Sequence, residues 1–174
     1  EITALVKQVV VMGGAFGVNG HRGNVTPYAE ANIHDDPEAA DRVFTAPWPV
    51  VIIGLDVTQQ SFFSSAYLDA LRDDAGEPGR FLWAVGRFYL RFYSERIGLN
   101  GCHVHDPSAI AYVIDPELFT LREGPVRVID HGPAIGPTLQ KFDGKSPPHD
   151  QRADYPARPA AAAGRDPARL ALYR

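Results

Sequence analysis

Two short runs of unbroken apolar residues organise the hydropathy pattern. Val9-Val10-Val11-Met12 is stopped by Gly13-Gly14, and Val50-Val51-Ile52-Ile53-Gly54-Leu55 is stopped at Asp56. Runs that are apolar at every position, rather than at alternate ones, predict strands of a sheet covered on both faces. The opening "EITALVKQ" reads as the end of a helix leading into the first strand. Between the strands lies a long loop, then "DDPEAADRVFTA", a short helix with Asp36 as N-cap and Pro37 at its first position. Pro47 and Pro49 separate that helix from the second strand.

After Asp56, "TQQSFFSSAYLDALRDD" predicts one helix capped by Thr58 or Ser61 and broken by Gly76, Pro78 and Gly79. Arg80 to Ile97 is the longest helical stretch, with Phe81, Trp83, Phe88, Tyr89, Phe92 and Tyr93 along it. "HDPSAIAYVID" starts another helix at Asp106-Pro107, and Val126 to Ile129 are strand-like. Ser146 to Asp166 turns to Pro, Ala, Arg and Asp and reads as a loop; "DPARLALYR" predicts a last helix. Strands alternating with helices make this an α/β fold, a largely parallel sheet flanked by helices. Ligands of such sheets bind beyond the carboxyl ends of the strands. Three polar clusters stand in suitable places: Met12 to Asn32, Asp56 to Thr58, and His103 to Asp106.

Composition narrows the class. A chain of 174 residues, 45% hydrophobic, buries one substantial core, and residues 1–174 are read as a single domain. A net charge of −4 and a pI near 5.8 supply no basic surface for nucleic acid or an anionic membrane. No apolar run reaches the roughly eighteen residues of a membrane span. One cysteine, Cys102, excludes an internal disulfide and fits a cytoplasmic setting. The start, without an initiator Met and inside a helix–strand unit, sets the expectation that an upstream portion is missing.

The candidate chemistry lies in two stretches. "GNVTPYAEAN" places Asn24, Glu30 and Asn32 close together, with no neighbouring cation for Glu30. Such a stretch is either a solvated loop or a pocket for several hydroxyl groups. In "HVHDP", Asp106 before Pro107 reads as a helix cap, while His103 and His105, two apart, could face one side of a strand as zinc ligands. Tyr89 and Tyr93, four apart, share one helix face, either packed into the core or bordering a pocket.

Taken in order, "MGG" after a strand, "GNVTPYAEANIHDDPEAA", "GLDVT" and "HDPSAIAYVIDPELF" resemble the nucleoside N-ribohydrolases of the inosine-uridine-preferring type. The resemblance runs from about Val9 to Phe119 and corresponds to the C-terminal portion of the family fold. It implies calcium-assisted hydrolysis of the N-glycosidic bond of ribonucleosides. Asn24, Glu30 and Asn32 would then bind the ribose hydroxyls, with Met12 packed nearby. Asp106 would be a calcium ligand, His105 would protonate the departing base, and Tyr89 and Tyr93 would lie near that base. His103 is expected to be structural or to support a site residue from behind. The family's N-terminal aspartate cluster, which furnishes most calcium ligands, has no counterpart here, so a missing segment or complementary chain, and a homo-oligomer, are the expected partners. Two other readings stand beside it: a non-catalytic nucleoside- or sugar-binding protein, and a zinc-dependent hydrolase using His103, His105 and Asp106.

Overall fold

The computed structural model describes residues 2–18, 20–141 and 169–173. They form two compact units, Glu1–Val57 with Asp106–Arg174, and Thr58–His105. The strands are β1 (Val9–Met12), β2 (Val50–Ile53), β3 (Phe62–Ser64), β4 (Gly101–His103), β5 (Phe119–Glu123), β6 (Val126–Val128), β7 (Thr138–Gln140) and β8 (Arg169–Tyr173). The helices are α1 (Ala31–Asp35), α2 (Pro37–Phe44), α3 (Leu55–Thr58), α4 (Ser65–Asp74), α5 (Gly76–Ile97) and α6 (Asp106–Ile114). A single 3-10 turn, Ile2–Ala4, replaces the helix expected ahead of β1.

The larger unit is built on a four-stranded sheet in the order β1-β2-β8-β5. β1 runs parallel to β2, with Val9 opposite Val50 and Met12 opposite Ile53; β2 runs parallel to β8, and β5 antiparallel to it. All four residues of β2 are buried, as an unbroken apolar run requires. Alternate side chains serve opposite faces. Val50 and Ile52 pack with Ile33, Phe44, Val126 and Val128, whereas Val51 and Ile53 pack with Tyr112 and Phe119. Each such burial stabilises by about 1.5–3 kcal/mol, so β2 is the axis of this unit.

α2 starts as its sequence predicts: the Asp36 carboxylate accepts from the Ala39 N–H at 2.9 Å, and Pro37 takes the first position. Further along, buried Asp41 accepts from Arg127 Nε at 2.8 Å, Arg127 Nη2 at 2.7 Å and the Val128 N–H at 2.9 Å. That carboxylate fastens α2 to the β6–β7 hairpin.

Arg169–Tyr173 form β8, not the expected last helix. Intrinsic helix propensity is a weak prior, and here a slot in the sheet between β2 and β5 decides the conformation. The stretch 142–168, which includes the Pro/Ala/Arg/Asp segment, lies outside the described residues.

In the smaller unit the single helix expected after Asp56 is interrupted. Phe62–Ser64 pair antiparallel with Gly101–His103, and the Ser64 hydroxyl then accepts from the Tyr67 N–H at 3.1 Å to cap α4. Pairing and a cap inside the segment win over its helical periodicity. The break expected at Gly76, Pro78 and Gly79 is present, since α4 ends at Asp74 and Gly76 has a φ of 63°, but all three lie within the first turn of α5, which starts at Gly76 instead of Arg80. Proline is tolerated there because first-turn N–H groups have no intrahelical acceptor. Gly79 is also where α5 meets α4: a Cβ at this position would overlap the Leu71 carbonyl oxygen. Leu68, Tyr93 and Cys102 are buried here with Phe63, Leu71, Trp83, Leu90 and Leu99 against them. Phe81, Phe88 and Phe92 are exposed, so only part of the aromatic content of α5 serves this core. Among the described residues no helix is long and apolar enough to cross a membrane.

Candidate active site

The loop after β1 is held by side chains from three distant places. Glu30 Oε2 accepts from the Gly14 N–H at 2.9 Å. Thr138 Oγ1 accepts from the Ala15 N–H at 3.0 Å and donates to the Ala15 carbonyl at 2.9 Å. Fully buried Asp56 accepts from the Phe16 and Val18 N–H groups, both at 2.7 Å. Buried backbone donors must find acceptors, and this loop at the carboxyl end of β1 finds them in a glutamate, a threonine and an aspartate.

Glu30 has a second duty. It is the N-cap of α1, with Oε1 accepting from the Asn32 N–H at 3.1 Å and Oε2 from the Ile33 N–H at 3.2 Å. The residue is 3% exposed. An ionised carboxylate offers about four lone-pair sites. Among the described residues three are occupied, which leaves one, on Oε1. The stretch predicted as a loop is therefore loop up to Glu30 and helix beyond it.

Asn24 Oδ1 accepts from the Ala31 N–H at 3.0 Å, and the Asn24 N–H donates to the Ala29 carbonyl at 3.1 Å, closing the turn between them. Gly23 begins this turn, and a Cβ there would overlap the Thr26 carbonyl and crowd Ala29. Asn32 is exposed and turns back on β1: its Nδ2 donates to the Met12 carbonyl at 3.2 Å and lies 3.4 Å from Met12 Sδ. Hydrogen bonds thus link Met12 with Asn32, Glu30 with the same helix start, and Asn24 with Ala31. Met12, Asn24, Glu30 and Asn32 are thus neighbours, at the end of the strand where α/β sheets bind ligands.

Within the smaller unit a second group forms one row. Tyr89 Oη lies 3.4 Å from Tyr93 Oη, which lies 3.1 Å from His105 Nε2; His105 Nδ1 lies 2.7 Å from Thr58 Oγ1. Burial, then the hydrogen bond with Tyr89, holds the Tyr93 phenol well above its ordinary pKa, so it keeps its proton at neutral pH. His103 packs by its ring, centroids 5.5 Å from Phe62 and 5.8 Å from Tyr93. Thr58, fully buried, is a candidate helix cap and part of the polar cluster Asp56 to Thr58 by sequence, but ends α3 and meets His105 instead of capping a helix. The signal for contact with His105 is position alone, a polar residue just after a buried strand.

Asp106 opens α6, is exposed, and among the described residues its carboxylate makes no hydrogen bond or ion pair. The capping bond that Asp-Pro suggests is not formed. Among the described residues no three His, Cys, Asp or Glu side chains converge to hold a metal. One carboxylate does not make the six to eight oxygens of a calcium sphere. The described residues do not by themselves fit that ion. For zinc, His105 would have to give up its ring hydrogen bond with Tyr93 or with Thr58.

Comparison with known proteins defines the class. The chain matches the family described as inosine-uridine preferring nucleoside hydrolase over residues 1–164. It is 39% identical over 147 residues to a probable uridine nucleosidase 2 of Oryza sativa subsp. japonica, covering 82% of this chain and 43% of that protein. It is 38% identical over 150 residues to the inosine-uridine preferring nucleoside hydrolase of Crithidia fasciculata, covering 86% of this chain and 46% of that protein. A solved plant nucleoside hydrolase superposes with a TM-score of 0.78 at 32% identity, over 95% of this chain and 48% of that one. The chain thus spans less than half the length of these relatives. It belongs to the inosine-uridine preferring nucleoside hydrolase family.

Proposed function

We propose that the protein carrying this chain hydrolyses the N-glycosidic bond of ribonucleosides, releasing ribose and the free base. The observation that carries this reading is the family match over residues 1–164. In the reaction the C1′–N bond breaks, a water oxygen bonds to C1′, and the base departs with a hydrogen on its nitrogen. Sugar contacts accelerate it when they are stronger in the oxocarbenium-like transition state than in the substrate.

Asn24, Asn32 and the remaining lone pair of Glu30 are proposed for the ribose hydroxyls, with Met12 as the adjoining wall. Their placement at the end of β1 supports this. Within this group Glu30 is above all the clamp: it holds both the loop after β1 and the first turn of α1 in place. His105 is proposed as the donor to the departing base, with Tyr89 and Tyr93 beside it; the hydrogen-bonded row Tyr89–Tyr93–His105 supports that grouping. Calcium is proposed as the cofactor of the whole protein, with Asp106 as one ligand.

Ribose release from uridine and inosine, followed as reducing sugar, tests the reading on the complete protein. Release is expected to stop on calcium chelation and return when calcium is restored. Nucleoside binding without release would assign a binding protein instead.

A further inference from the structure

Thr58 Oγ1 stands 2.7 Å from His105 Nδ1, the shortest link in the row that ends at the tyrosines. The threonine is 0% exposed, so water cannot take its hydroxyl hydrogen. Among the described residues the hydroxyl makes its hydrogen bond to Nδ1 and to no other side-chain or backbone group. Two arrangements of hydrogen are conceivable. If Nδ1 carries the hydrogen and donates to Oγ1, the buried hydroxyl donates to nothing, a costly state for a group removed from water. If the hydroxyl donates to Nδ1, every hydrogen is used. A neutral imidazole has one donor and one acceptor nitrogen, so the second arrangement puts the ring hydrogen on Nε2, 3.1 Å from Tyr93 Oη.

We propose that Thr58 is a positioning residue: its hydroxyl donates to His105 Nδ1 and thereby fixes the neutral imidazole with its hydrogen on Nε2, directed along the row toward Tyr93. The row then has one polarity. Thr58 donates to His105, His105 to Tyr93, and the Tyr93 hydroxyl is left to donate onward to Tyr89 at 3.4 Å or to a ligand that takes its place. The inference rests on the reading of His105 as the donor that serves the departing base. It specifies which nitrogen does so and what holds that nitrogen in the donor state. The second nitrogen of a working histidine is commonly governed in this way by the hydrogen bond it makes.

The test reads hydrogen position rather than turnover. In a 15N-labelled 174-residue chain, at a pH where imidazole is neutral, the two ring nitrogens of a histidine differ widely in chemical shift according to which is protonated. The His105 signals are assigned by their loss in His105→Gln. The expected result is a protonated Nε2 and an acceptor-type Nδ1 in the unaltered chain. Thr58→Ser, which keeps the hydroxyl, retains that pattern, and Thr58→Val moves it toward a mixture of the two tautomers. A protonated Nδ1 in the unaltered chain overturns the proposal, and does so even where Thr58→Val fails to fold. An unchanged tautomer in a folded Thr58→Val overturns it too. A correct tautomer in a complete protein that releases no ribose would count against the hydrolase reading and leave the role of Thr58 intact.

Discussion

If the proposed hydrolase reading holds, His105→Ala in the complete protein is expected to lower kcat/KM for uridine and inosine by roughly 10²–10⁴-fold, the usual worth of a positioned donor. A ribonucleoside base leaves poorly unless its nitrogen gains a hydrogen as the C1′–N bond breaks. A nitrophenyl riboside leaves as a stable anion and needs no such help, so its loss in His105→Ala is expected to be far smaller. Side-by-side kinetics on the two substrates decide the point. Equal losses on both would mean that His105 acts by holding the site together, through Thr58 and Tyr93, and not by serving the base.

The second large effect is on stability. Glu30→Ala removes the acceptor of three backbone N–H groups, those of Gly14, Asn32 and Ile33. With the site 3% exposed, water does not replace the carboxylate well, and the cavity left by the side chain adds to the loss. We expect a destabilisation of about 3–5 kcal/mol, read from urea unfolding at neutral pH. Glu30→Gln keeps one acceptor oxygen and turns an amide toward the remaining donors, so it should recover part of the loss. A cost below about 1 kcal/mol for Glu30→Ala would show that the loop after β1 and the start of α1 stand without the clamp. The comparison matters for any activity assay, because a weakened Glu30 variant loses the position of Asn32 together with its own contact.

Local chemistry made part of this fold readable in advance. β1 and β2 announce themselves because burial on both faces requires apolar side chains at every position, and Val50 to Ile53 comply. α2 is readable because Asp36-Pro37 can hardly do anything but begin a helix. By contrast, β3 and β8 exist only through partners distant in sequence. Phe62 pairs with His103, and Arg169 to Tyr173 run between β2 and β5, so no window of neighbouring residues contains the reason for either strand.

The candidate site divides the same way. Asn24, Glu30 and Asn32 were visible as a motif, since their residue types and spacing suit a polyhydroxylated ligand. The capping role of Glu30 was not, because Asp, Asn, Ser and Thr are the usual N-caps and a glutamate suggests itself as a ligand group instead. Asp56 and Thr58 were visible only as polar residues after a strand. Their duties, holding the Phe16–Val18 backbone and the His105 ring, depend on folding across 38 to 47 residues. Tyr93 could have been core or pocket by its helical spacing. It is both, buried against Leu68 and Cys102 with its hydroxyl on His105.

Cys102 gives the smaller unit a built-in clock. It is the only thiol in the chain, it lies beneath the surface beside Tyr93, and burial pushes its pKa above the usual value. Alkylation needs an accessible thiolate, and the closed state provides neither the access nor the charge. Labelling in native buffer therefore proceeds only during moments when residues 58–105 come apart, and its rate divided by that of a free thiol gives the open fraction directly. Trp48 belongs to the other unit and Trp83 to this one, so in a Trp83→Phe chain fluorescence would follow the larger unit while labelling of Cys102 follows the smaller.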